Sequence, residues 1–124
     1  MKTQLARRLL AAGLFVLACG TAATVSAHAF PDNSSPHVGA SVSPAPKQVK
    51  IWFNADIEPL FSTLIVKNSN GNQVSIGKGA IPSGQTAQLV TRLKPLSPGL
   101  YAVYWSVIAR DGHHTEGRWY FTVK

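Results

Sequence analysis

The sequence predicts an all-β domain, a β-sandwich or small Greek-key barrel of about seven strands. Three observations carry this. Apolar residues alternate with polar ones over short runs, turn-forming residues separate those runs at regular intervals, and no helical periodicity follows the first thirty or so positions.

The strands are taken in order. Residues 31–36, Pro-Asp-Asn-Ser-Ser-Pro, are rich in turn formers, and Ser43-Pro44-Ala45-Pro46 repeats that character. Val49, Ile51 and Phe53 then share one face of a half-buried strand. The pattern breaks at residues 54–59 and resumes at 63–67 with β-branched residues. Asn70-Gly71 signals a tight hairpin, with residues 73–76 as its return strand. Residues 87–91 form another short strand. Tyr101, Val103, Trp105 and Val107 alternate along the next, and residues 118–123 close the chain. Core packing is the expected use of Trp52, Trp105 and Trp119. Loops at the ends of such a sandwich are common places for binding sites.

Length allows one domain, preceded by an export signal. Lys2, Arg7 and Arg8 supply positive charge, residues 9–18 an apolar run too short for a permanent membrane span, and Val25-Ser26-Ala27 a small-residue cleavage site. Residues 1–27 are therefore expected to be a cleaved signal peptide, with residues 28–124 the mature domain beginning at His28. A competing reading takes Val16-Leu17-Ala18-Cys19 as a lipoprotein box, with Cys19 as the first mature residue. Only cleavage after Ala27 frees the amine of His28.

The domain from His28 onward holds no cysteine, so it folds without disulfides, and no methionine. Removing Lys2, Arg7 and Arg8 from the twelve basic residues leaves nine against five acids, a net charge of plus four. Those charges are scattered, and none forms the basic stripe of a nucleic-acid binder.

Chemistry is concentrated in Arg110-Asp111-Gly112-His113-His114, between the last two strands. On extended backbone Asp111 and His113 project from one side, whereas His113 and His114 face opposite ways, so one histidine is a bystander. An N-terminal histidine can close a chelate ring with its amine and its imidazole Nδ1. His28 and His113 then give three nitrogen donors, and Asp111 an oxygen donor or a hydrogen-bond acceptor. Such nitrogen-rich, tetragonal surroundings favour Cu(II), while the lack of sulfur ligands disfavours Cu(I). Taken singly, each element has a plainer explanation: Asp111-Gly112 is a common turn pair, and His113 could be a solvated loop side chain. Their coincidence in one small exported chain points to metal. Glu58, His114 and His37 are secondary candidates for supporting contacts.

These residues resemble the CopC-like copper-resistance proteins of the bacterial periplasm, including the YobA branch. The resemblance lies in His28 after the leader, the Ser34-Ser35-Pro36 turn, Pro98-Gly99-Leu100-Tyr101, Trp105, Asp111-Gly112-His113, Thr115, Gly117 and the closing Phe121-Thr122-Val123-Lys124. It implies a seven-stranded cupredoxin-like or immunoglobulin-like fold and a Cu(II) site of His28, Asp111 and His113. The family's Asp-x-His pattern selects His113 over His114. It also implies a role in copper homeostasis and resistance beside a CopD-like inner-membrane transporter; the leading expectation is a monomer that sequesters or delivers copper without turnover. Some members carry a methionine-rich Cu(I) loop, which this chain lacks. Two other readings compete: a small copper monooxygenase using a histidine brace, and a β-sandwich interaction domain without metal.

Overall fold

The computed structural model describes residues 28–124. The leader, its cleavage site and Cys19 lie outside the described residues. Eight strands follow: β1 (Pro31–Ser35), β2 (Ser41–Val42), β3 (Gln48–Phe53), β4 (Thr63–Asn68), β5 (Ser75–Ala80), β6 (Gln88–Leu93), β7 (Gly99–Ile108) and β8 (His114–Val123). Seven have five residues or more, and β2 is a two-residue addition. One sheet runs β1-β3-β6-β5 and the other β2-β8-β7-β4. Among the described residues, no helix is long and apolar enough to cross a membrane.

The alternation read from the sequence is the alternation that packs. Val49, Ile51 and Phe53 from one sheet meet Leu64, Val66, Val103, Val107 and Phe121 from the other. Trp119 is buried in that core, whereas Trp105 is only partly covered and meets Phe53 edge-on at 5.7 Å. Trp52 is half-buried on the outer side of β3.

Two segments depart from expectation. Residues 31–35, read as a turn, form an edge strand antiparallel to β3. An edge tolerates proline because one side of its backbone needs no ladder partner, and this strand is mostly exposed. Residues 73–76, read as the return strand of a hairpin with β4, pair with it only at the bridge Lys67↔Gln73. The Ser75 hydroxyl accepts the Val66 N–H at 2.9 Å, and the chain then crosses to the other sheet, where β5 pairs with β6.

At one pole, residues 54–58 cross from β3 towards β4 and close the end of the sandwich. Ile57 bridges to Ala109, the Glu58 N–H donates to Ile108 O at 2.8 Å, and the Ile57 N–H donates to Thr86 O at 3.0 Å. This strap holds the base of the β7–β8 loop.

Candidate metal centre

The β7 and β8 strands pair along their whole length, from Gly99↔Val123 to Ile108↔His114, leaving residues 109–113 as the loop. Within it the Ala109 N–H donates to His113 O and the Gly112 N–H to Ala109 O, both at 2.9 Å. Gly112 has φ +89°, a conformation that costs glycine little. The backbone is therefore a turn, as the Asp111-Gly112 pair allows, and not the extended stretch on which the shared facing of Asp111 and His113 was expected. Asp111 and His113 still face together, through a local hydrogen-bond pattern rather than the pleat. Asp111 Oδ1 accepts the His113 main-chain N–H at 3.0 Å, and Oδ2 lies 2.8 Å from His113 Nδ1.

That pattern bears on which atom of the imidazole is free. The main-chain N–H of His113 is the largest influence on Asp111 and holds its carboxyl below the ordinary range; desolvation opposes it, and the imidazole hydrogen bond and the charges of His113 and His28 add to the lowering. An ionised carboxylate can only accept, so Nδ1 carries the hydrogen, and in the neutral imidazole Nε2 then keeps its lone pair.

His28 arrives from the other end of the chain. Ala29 is fully buried in the core, and its carbonyl accepts the Thr115 hydroxyl at 2.6 Å. The Phe30 N–H donates to Asn54 Oδ1 at 2.9 Å, and the Asn54 N–H returns to Phe30 O at 3.0 Å. Held in this way, the His28 ring sits 4.1 Å from that of His113, centroid to centroid, at 50°. Candidate ligand atoms of His28, Asp111 and His113 all lie within 4.8 Å of one another. His28 is half-buried and the other two are exposed, so the cluster opens to solvent at the pole.

The secondary candidates stay apart. His114 lies on β8 with Nε2 2.7 Å from Ser106 Oγ and 3.7 Å from Glu116 Oε2. His37 follows β1, where its carbonyl accepts the Ala40 N–H, and it lines a cleft with Asn33, Arg118 and Trp119. Glu58 joins the strap through its backbone. Among the described residues, none of the three belongs to the cluster around His28.

Sequence reasoning gave no supporting role to the residues that carry the cluster, although Thr115 is among those in the family resemblance. Thr115 and Asn54 secure residues 29 and 30, which follow His28. Asp56 braces the loop from behind, accepting the Arg110 N–H at 3.2 Å on its carbonyl and the Thr86 hydroxyl at 2.6 Å on Oδ1. The available signal was faint: a threonine two places beyond His113, and an asparagine at the end of a strand.

The family model described as the CopC domain matches residues 32–124. The chain is 35% identical over 95 residues to the copper transport protein CutJ of Bacillus subtilis, covering 76% of itself but only 18% of CutJ. It is 33% identical over 117 residues to copper resistance protein C of Xanthomonas campestris pv. juglandis, covering 88% of this chain and 91% of that one. The crystal structure of CopC from Methylosinus trichosporium OB3b superposes with a TM-score of 0.74 at 31% identity, over 78% of this chain and 94% of the other.

Proposed function

The chain belongs to the CopC family, and on that premise we propose that it is a periplasmic protein that binds Cu(II) and holds the ion or passes it on. Cleavage after Ala27 exposes the amine of His28, which closes a chelate ring with its own imidazole. His113 supplies the third nitrogen through Nε2, and Asp111 fixes the orientation of that ring as carboxylates do for many metal-bound histidines. Nitrogen donors without sulfur suit the oxidised ion. The open pole suits ligand exchange with an acceptor such as a CopD-like membrane partner, and no turnover is part of the role.

One observation carries the reading: residue 28 lies against residues 111 and 113, with their candidate ligand atoms within 4.8 Å. A terminal histidine placed there by chance would have no reason to face the Asp-x-His loop. The test compares Cu(II) affinity of protein beginning at His28 with protein carrying one glycine before it. The extension separates the amine from its imidazole and should weaken binding by roughly a hundredfold or more, the scale on which tethering two donors acts. Equal affinity in both would sink the proposal. Intact mass of the protein recovered from the periplasm identifies the first residue directly.

A further inference from the structure

A chain terminus is ordinarily among the least ordered parts of a domain unless something ties it down. Here the tie begins one residue from the candidate ligand. Three successive backbone groups after His28 each have a partner: Ala29 O takes the Thr115 hydroxyl, Phe30 N–H reaches Asn54 Oδ1, and Phe30 O takes the Asn54 N–H. We propose that Thr115 is a positioning residue for the copper site, setting its affinity by holding the terminal segment so that His28 faces His113 before any metal arrives. The inference rests on the reading of His28, Asp111 and His113 given above.

Two features separate Thr115 from an ordinary satisfied hydroxyl. It stands two residues beyond His113 and pairs with Val107 in the β7–β8 hairpin, so the clamp and the loop imidazole share one rigid element. Its acceptor is the carbonyl of the residue next to His28, and that residue is wholly buried. Losing the hydroxyl leaves a buried carbonyl without its partner, and the segment must shift to find another. Any such shift at Ala29 moves the amine and the imidazole of His28 together, away from Nε2 of His113. Valine copies the shape of threonine but cannot donate, whereas serine keeps the donor.

The experiment measures Cu(II) affinity, by competition with a chelator of known strength, for Thr115→Val and Thr115→Ser in two backgrounds: protein beginning at His28 and protein with one glycine added before it. Amide exchange at Ala29 and Phe30 is followed in the metal-free proteins. In the protein beginning at His28, Thr115→Val should weaken binding roughly three- to tenfold, the range of one net hydrogen bond, and speed exchange at both amides. Thr115→Ser should stay within about twofold of the parent, because it keeps that bond. In the glycine-extended background Thr115→Val should add little, since the chelate it positions is already broken. Thr115→Ala replaces the valine variant should that one fail to fold. An unchanged affinity for Thr115→Val, or equal losses in both backgrounds, overturns the clamp while leaving the site reading intact. A glycine extension without effect overturns the site reading, and the clamp with it.

Discussion

Asp111 uses both carboxylate oxygens on one neighbour, the main-chain and ring N–H groups of His113, and this sets what it can contribute as pH changes. Its pKa is depressed by those contacts, so the stability it adds is fully present above the unfolded value, near 4, and is lost only as pH falls through the lower folded value. Between pH 5 and 8 its charge is constant. Copper affinity should nevertheless fall on acidification over that range, because protons compete for the nitrogen donors. Asp111→Asn should therefore weaken Cu(II) binding about ten- to a hundredfold, as loss of an orienting partner does, and by nearly the same factor at pH 5 and pH 8. Affinities measured at both values check this, and a ratio that collapses towards pH 5 would show the carboxylate titrating there. The two histidines part company for a geometric reason. His113→Ala should cost more than any orienting partner, on the order of a hundredfold or beyond, whereas His114→Ala, whose ring is turned to Ser106 and Glu116, should change affinity by less than about threefold. The Asp-x-His spacing was legible in the sequence. That it works through a turn was not, because spacing alone does not distinguish a pleat from a side chain that binds its own backbone two residues on.

The β7–β8 hairpin depends on two glycines for different reasons. Gly112 occupies φ +89° at the tip, where a Cβ meets no neighbour but strains the backbone. Gly117 is open in conformation but crowded, since an added Cβ would lie 2.8 to 3.0 Å from the Trp105 indole. Gly112→Ala should cost about 1–2 kcal/mol of stability through local strain and also weaken copper binding, because the same turn sets Asp111 against His113. Gly117→Ala should cost about 1–3 kcal/mol through overpacking, with a smaller effect on copper, since Trp105 rather than the loop must yield. Equilibrium urea unfolding and copper titration of the two variants separate the effects; equal copper losses would mean that the loop and the strand do not act independently. At this scale the sequence was informative where burial enforces alternation, as in β3, β7 and β8. It misled where burial is absent or the chain changes sheet. The exposed β1 has no apolar period to betray it. Asn70-Gly71 marks a real turn, but the strand after it leaves its neighbour once Ser75 caps Val66.

The meeting of residues 28–30 with the β7–β8 hairpin is a property of the whole sandwich, and no local pattern encodes it. Ala29 is drawn inward by the core, Asn54 at the end of β3 catches Phe30, and Thr115 on β8 closes the join, so three elements distant in sequence build one corner. The sequence supplied the candidate ligand types and a reason to look at residue 28; the distances came from topology. A metal held across that corner cross-links residue 28 to residues 111 and 113, and the unfolded chain, with those residues far apart, cannot present the same set. Copper should therefore stabilise the fold by mass action, about 2.7 kcal/mol at a free concentration one hundred times its Kd. For a domain of this size that corresponds to a rise in Tm of roughly 10–20 °C. Thermal unfolding with and without Cu(II), followed by reversal with a chelator, measures it. The glycine-extended protein at the same copper concentration should show a much smaller rise, because its looser site is far from saturated. Copper held on scattered histidines such as His37 and His114 would bind the unfolded chain about as well as the folded one. It would leave Tm nearly unmoved in both proteins, so a large shift that disappears with one added residue isolates the terminal chelate as its source.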